Sequence, residues 1–475
     1  MLRAAIRNSW LAPTLFAAAV CFSHIHQGTI AVDAIRYSAI ASNILESGDW
    51  IHLYDRFTES AYANKPPLLF WSLAGIFHTV GFSTFAAKFP AVLFTFLSML
   101  LVWRIWTKLG GEAAGLWAIL LFAVNRSFFR DLVELGFDGM AVCGAALCFL
   151  AAVKFLSKEG GARAVWLLFG CGLLLIFQSK PPYAVLTLLP IAVAVYHSGR
   201  FVEVLKSPGC WLSLLVPVCL VGAWFAISGG QYFAAAVDNQ LAEPLRQSGS
   251  FSENLLLWVR SLGIDFAPLS VCGAFYAARI CRSELRAQKL NSVNLMFLVV
   301  LLLALPIMLV VAQRGRYLWI PMLGALHFSA LGMTNSFPRV TASVLKRALF
   351  VLALAAASIV ILFKVPVHRN NALLELIDHA APGERTKLCF CVDGDMPHRN
   401  QRMARYSALL LRLQYGLSTP VQNSEDFAHG SNPGCHVIAE SNCLEGLKSQ
   451  QVPYKILQET RGAALLELGA SSPAS

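Results

Sequence analysis

The sequence predicts an all-α polytopic membrane protein with a small α/β domain at its C-terminal end. Three observations carry this. Of the 475 residues, 56% are hydrophobic and only 14% charged, with a mean hydropathy of +0.58, a balance foreign to soluble domains. Many apolar runs reach the roughly 17–25 residues with which a helix crosses a bilayer. Those runs lack apolar/polar alternation, which excludes an outer-membrane barrel.

In chain order the runs fall near 10–30, 86–103, 113–129, 139–156, 164–179, 182–197, 210–228, 264–280, 292–312, 317–333 and 345–363, about 11 transmembrane helices. The first follows Arg3 and Arg7 and reads as an uncleaved signal-anchor, since no small-residue cleavage site precedes Asp33. Residues 67–82 could count as a further span. However, Pro66, Pro67 and the short amphipathic run from Leu69 to Phe77 fit a helix lying on the membrane surface, inside the first outer loop. With a cytoplasmic N-terminus, the inner loops carry Arg104/Lys108, Lys154/Lys158/Arg163, Arg200/Lys206, Arg279/Arg282/Arg286/Lys289 and Arg339/Lys346/Arg347. That agrees with the positive-inside rule, whereas spanning at 67–82 inverts every later loop.

Residues 1–363 form the membrane domain and 364–475 a polar tail, exported by span parity. Helix-like runs in the tail (Ala372–His379, Met403–Leu413, Leu444–Gln450) alternate with strand-like runs (Leu388–Val392, His436–Ala439, Tyr454–Leu457, Ala464–Leu468). Of twelve cysteines, eight lie in or beside spans and read as small apolar packers. Cys389, Cys391, Cys435 and Cys443 lie in the tail without zinc-finger spacing. An exported tail favours a disulfide, most simply Cys435–Cys443, though Cys389 and Cys391 could each pair with either of those. The net charge of +11 is scattered over loops and forms no basic stripe, so nucleic acid is not the expected partner.

This topology puts Asp33, Lys65, Asp131, Glu134, Asp138, Lys180, Arg314 and Arg316 on one outer face. Cations there run against the charge rule, and an anionic headgroup among them would explain it. Asp33 opens an amphipathic stretch in which Tyr37, Ile40, Ala41, Ile44 and Leu45 share a helical face and Gly48 ends it. Asp33 reads as a helix N-cap or as a general base toward a hydroxyl, and the two are compatible. Asp131, Glu134 and Asp138 read as a solvated loop with its own ion pairs, or as groups that orient a sugar or acceptor hydroxyl. Arg36, Lys65, Lys180, Arg314 and Arg316 could snorkel to lipid headgroups or clamp a phosphate. Lys65-Pro66-Pro67 is echoed at Lys180-Pro181-Pro182. Proline keeps the preceding residue out of helical geometry, so each lysine should sit at a helix entrance, turned toward the headgroups. Walker loops, dinucleotide fingerprints, His-Glu-x-x-His and nucleophile elbows are missing from the sequence.

The joint spacing of Asp33-Ala-Ile-Arg36-Tyr37, Glu46-Ser-Gly-Asp-Trp50 and Lys65-Pro-Pro resembles the first outer loop of lipid-linked-sugar glycosyltransferases. These are the aminoarabinose transferase and protein O-mannosyltransferase group (dolichyl-phosphate-mannose-protein mannosyltransferase-like), with the GT-C fold. The resemblance covers roughly residues 10–200 and returns at Arg314-Gly-Arg316-Tyr317-Leu318. It implies a catalytic Asp33, Lys65 near the lipid phosphate, and a second acidic site best matched by Asp138. Tyr37, Asp131, Glu134 and Tyr317 are the expected substrate-binding residues. Ala34 and Asn64 stand where family members often carry Glu, which counts against a metal site or amino-sugar recognition built on those carboxylates. No metal ligand set is expected, and dependence on a divalent cation stays open.

The resemblance implies inverting transfer from a polyprenyl-phosphate-sugar to a lipid, glycan or protein acceptor, at the periplasmic side of a bacterial inner membrane. The rival is a multispan transporter or flippase of lipid-linked intermediates. Such proteins usually carry midplane charges and inverted repeats, which this sequence does not display. A catalytically silent partner subunit is a third reading.

Overall fold

Apolar helices dominate the computed structural model, which describes residues 10–23, 25, 32–55, 60–62, 65–133, 136–229, 258–310, 315–363, 388–391, 421–422, 436–449, 451–452, 454–460 and 463–468. The chain divides into two compact units. One comprises Met1–Ile25, Tyr62–Leu69 and Phe89–Lys364; the other comprises His26–Ala61, Phe70–Lys88 and Val365–Ser475.

In the first unit, α1 (Leu11–Phe22) packs on α4 (Thr84–Ala123), with Phe22 rings 6.3 and 5.9 Å from those of Phe89 and Phe96. α4 is two helices joined at Gly110 and Gly111, and Gly111 adopts φ +80. That φ is open to glycine at little cost, and the break separates the two expected spans 86–103 and 113–129. α5 (Asp138–Leu156) is buried along almost its whole length, and α6 (Ala162–Phe177) lies tightly against it. A Cβ on Gly144 would come within 2.6 Å of the Gly172 carbonyl, the small-residue contact by which apolar helices approach in lipid. α7 (Tyr183–His197), α8 (Phe201–Lys206) and α9 (Pro208–Ser228) follow. Beyond a bent segment, Trp258–Asp265, come α10 (Ala267–Arg286), α11 (Ser292–Leu302), α12 (Ala304–Val310), α13 (Trp319–Ser336) and α14 (Ala342–Phe363). α9 leaves Trp211, Leu212, Leu215 and Ile227 exposed, which suits a lipid-facing surface.

Among the described residues three helices are long and apolar enough to cross a membrane: Phe85–Ala123, Asp138–Leu156 and Pro208–Ser228. A fourth appears if Trp258–Asp265 and Ala267–Arg286, bent by 99°, count as one. Shorter apolar helices such as Leu11–Phe22 and Ala162–Phe177 are about 18–24 Å long at 1.5 Å per residue, short of a ~30 Å hydrocarbon core. Eleven spans is therefore an expectation of the sequence that helix length alone does not reproduce.

In the second unit, α2 (Val32–Ser47) buries Tyr37, Ile40, Ala41 and Ile44, the expected face, while Leu45 is half-buried. Gly48 closes it at φ +72, its N–H bonded to the Ile44 carbonyl at 2.9 Å, a left-handed cap. The helix starts at Val32, so Asp33 lies in its first turn and is not the N-cap. A carboxylate is favoured by the helix dipole at either position. A short hairpin, β1 (Tyr54–Asp55) with β2 (Ser60–Ala61), follows. α3 (Leu68–Val80), whose first two residues belong to the first unit, is the helix at 67–82; it buries Leu69, Phe70, Leu73, Ala74 and Phe77.

The tail carries a five-stranded sheet in the order β4 (Val421–Gln422), β3 (Leu388–Cys391), β5 (His436–Glu440), β7 (Ala463–Leu468), β6 (Tyr454–Thr460). β3 is parallel to β4 and β5; β5–β7 and β7–β6 are antiparallel, with an irregularity between Ile456 and Gln458. Val437, Ala439 and Leu466 form a core with Cys443 and Leu447 of α15 (Ser441–Ser449). Cys443 is disulfide-bonded. The eight cysteines of the membrane segments are free; the expected partners Cys389, Cys391 and Cys435 have side chains outside the described residues. The helix-like runs 372–379 and 403–413 lie outside the described residues.

Candidate active site

Two breaks in the first unit bring the acidic loop and both Lys-Pro-Pro elements together. α6 ends at Phe177, and the Lys180 amide folds back onto the Ile176 carbonyl at 2.8 Å. Pro181 and Pro182 carry no amide to continue the helix, and α7 starts at Tyr183, whose N–H meets the Lys180 carbonyl at 2.9 Å. On the facing element, α5 starts at Asp138, directly after Phe137. Gly139 makes this start possible, because a Cβ there would lie 2.6 Å from Thr95 Oγ1 and 3.2 Å from the Leu132 carbonyl. Thr95 itself donates to Leu132 at 2.6 Å, fixing the loop before Asp138 against α4.

Lys180 turns inward. Its Nζ pairs with Asp138 Oδ1, and the two residues are 6% and 4% exposed. The expected headgroup-facing orientation is thus replaced by an ion pair, because a buried ammonium needs a partner. The same Nζ lies 4.9 Å from the Tyr317 ring and 5.2 Å from the Tyr183 ring, within cation–π range. Those rings meet edge-on at 6.3 Å. Lys65, half-buried at the entrance of α3, places its Nζ 5.7 Å from the ring of Phe137. Gln178 Oε1 accepts the Leu68 N–H at 3.4 Å, so the chain beside one Lys-Pro-Pro element is bonded to the chain beside the other. Phe137–Asp138 is the point on which both lysines converge. The sequence offered the echo of the tripeptide but no sign of Gln178, since the contact spans 110 positions.

Asp131 accepts from Ser127 within a π-helical turn, Phe128–Val133. Glu134 and Arg314 lie outside the described residues, and of Arg316 only the backbone is described, in the turn Gly315–Leu318. Among the described residues no three His, Cys, Asp or Glu side chains are grouped to hold a metal ion.

The second unit holds the other expected site residues. Asp33 occupies the first turn of α2, its side chain outside the described set. Arg36, expected in a phosphate clamp, donates through Nε to Asp55 Oδ2 at 2.5 Å, and the Asp55 side chain is fully buried. Sequence reasoning missed Asp55, because the alternation of buried Leu53 and Asp55 around exposed Tyr54 shows in the structure and not in the residue types. Tyr37 is buried with its ring 5.6 Å from Phe70, edge-on. Asp49 accepts the His52 and Ile51 amides, which hold its carboxyl below the usual carboxylate range. Trp71 Nε1 donates to the Trp50 carbonyl at 2.6 Å. The Gly-Asp-Trp element is therefore a turn tied to α3.

Residues 64–225 match the family model of dolichyl-phosphate-mannose-protein mannosyltransferase, a stretch that contains Lys65, Asp138, Gln178 and Lys180. No curated protein matches the chain in sequence. Among solved structures, ArnT from Cupriavidus metallidurans bound to undecaprenyl phosphate superposes with a TM-score of 0.63 at 11% identity, covering 98% of this chain and 99% of that chain. The apo state of the same protein gives 0.62 at 14% identity, covering 96% and 97%. The fold is the GT-C fold anticipated from the motifs. The superpositions show the fold, and the family match is confined to residues 64–225.

Proposed function

We propose that this protein is an integral-membrane glycosyltransferase that moves a hexosyl or pentosyl group from a polyprenyl-phosphate-sugar to an acceptor hydroxyl or phosphate on the outer face of the membrane, with inversion. The observation that carries the reading is the convergence of Lys65 and Lys180 on Phe137–Asp138, inside the stretch that matches the mannosyltransferase family. ArnT, whose fold the chain shares, binds undecaprenyl phosphate, and a polyprenyl phosphate is the donor class taken here.

The chemistry needs one base and a set of cations. Asp33 takes the proton of an acceptor hydroxyl, and the oxygen attacks the anomeric carbon. The bond from that carbon to the phosphate oxygen breaks, and the phosphate leaves with the electron pair. No general acid is needed, because the leaving group departs as an anion stabilised by fixed positive charge, whereas glycosidases need paired carboxylates. Lys65 and Lys180 supply that charge, joined by Arg36, Arg314 and Arg316. With no donor bound, Asp138 serves as the counterion of Lys180. When phosphate replaces it, the carboxylate is released to accept a hydrogen bond from a sugar or acceptor hydroxyl. Tyr317 borders Lys180 as a substrate contact; Tyr37, Asp131 and Glu134 complete the proposed set. The setting is the bacterial inner membrane, with chemistry and tail on the periplasmic side, residues 1–363 as the glycosyltransferase domain and 364–475 as an exported α/β domain.

Proteoliposomes supplied with radiolabelled polyprenyl-phosphate hexoses and pentoses test this. Label should pass to an acceptor with the opposite anomeric configuration. Movement of intact donor between leaflets without transfer would favour the flippase, and inertness toward every donor would sink both.

A further inference from the structure

We propose that Gln178 is a positioning residue, whose side-chain amide fixes the Lys65 entrance of α3 to the Lys180 entrance of α7 so that both lysines address one phosphate. This rests on the donor-binding reading given above. Pro66 and Pro67 have no N–H, so the first amide after Lys65 by which its segment can be held is that of Leu68. Leu68 is also the first residue of α3, and such an amide has no acceptor within its own helix. Gln178 provides one from two residues before Lys180, at 3.4 Å. Its location is itself fixed: its N–H bonds the Leu174 carbonyl at 2.9 Å as α6 closes, and the residue is 7% exposed. Because the Leu68 group is a donor, the amide oxygen must face it, and that sets the orientation of the side chain. Gln178 carries no charge to offer a phosphate. Its contribution therefore passes through the backbone to Lys65.

A double-mutant cycle on the full chain in nanodiscs tests the coupling, with undecaprenyl phosphate as the probe and its dissociation constant as the readout. Lys65→Ala should weaken binding about tenfold or more, as loss of a charge-assisted contact does. Gln178→Met, of similar length and without the acceptor, should weaken it about two- to tenfold. In the Lys65→Ala background Gln178→Met should add almost nothing, since groups acting as a unit are not additive. A generic packing loss would instead add in full, and full additivity overturns the proposal while leaving the donor reading intact. So does wild-type affinity in Gln178→Met. Should Gln178→Met fail to insert, Gln178→Asn takes its place in the same cycle; it keeps the amide and withdraws the oxygen by one methylene.

Hydrogen exchange at the Leu68 amide provides a readout independent of ligand, and should quicken in the Gln178 variant. Unchanged exchange overturns the tie. A wild-type protein that does not bind undecaprenyl phosphate, yet shows quickened Leu68 exchange in the variant, would instead fault the donor reading, and positioning for phosphate would fall with it.

Discussion

Replacing Lys180 with Met strands the Asp138 carboxylate. Both residues are more than nine-tenths buried, at 6% and 4% exposure, and their side chains form a direct ion pair. Removing one partner of such a pair typically costs about 3–5 kcal/mol, because the remaining charge has lost its hydration and its counterion. A lysine that merely snorkelled to the headgroups would cost nothing comparable. Combining Lys180→Met with Asp138→Asn removes both charges and leaves one neutral amide, whose unmet hydrogen bonds cost about 1–3 kcal/mol. The double variant should therefore recover about 2 kcal/mol relative to Lys180→Met alone. Denaturant unfolding in detergent micelles, followed by tryptophan fluorescence, gives the stabilities, and sugar transfer is measured on the same preparations. Recovered stability without recovered transfer is the expected result, because the cation that meets the leaving phosphate is still missing. Wild-type stability in Lys180→Met, or a double variant no better than the single, would refute the reasoning.

Asp33→Asn should lower transfer by about 10²–10⁴-fold, the usual share of a general base, with insertion unchanged; wild-type turnover would remove Asp33 from the mechanism. Gly139→Ala should destabilise the start of α5 by about 1–3 kcal/mol, because the new Cβ would meet Thr95 Oγ1 at 2.6 Å; a thermal scan matching wild type would refute that. A reporter active only outside the cytoplasm, fused after Ser475, should be active, and strong activity of a cytoplasmic reporter there would overturn the proposed orientation. Alkylation of protein kept from reductant should leave no more than two of the four tail cysteines modified, given the bond at Cys443; four modified thiols would contradict it.

Local patterns were legible where local chemistry decides the outcome. The face of α2 and its end at Gly48 follow from spacing and from glycine's access to positive φ. The tail strands at 388–391, 436–440, 454–460 and 463–468 were readable from their apolar and β-branched runs, while Val421–Gln422 is two residues long and carries no period. The helix start was misread by one residue at Asp33, since the same residue type suits both an N-cap and a first turn.

For the candidate site, the sequence supplied residue types but not the partners that they meet. Lys180 and Asp138 were each singled out, yet they are 42 positions apart. Nothing in either neighbourhood says that the lysine will spend its charge on that carboxylate. Arg36 shows the same limit, since its acceptor Asp55 lies 19 residues on, beyond a helix and a turn. In an apolar bundle this ignorance has a definite physical form. Burial obliges each charge to find an opposite one, so the existence of a partner can be inferred from the sequence even when its identity cannot. The Lys-Pro-Pro echo is the instructive case. Proline dictates a helix entrance after each lysine, and that much was readable. It also deletes two successive amides, so the first N–H after Lys65 is that of Leu68, and this one reaches Gln178 across 110 positions. Counting the donors that proline removes is thus a way to ask of a sequence which amide a long-range hydrogen bond can use.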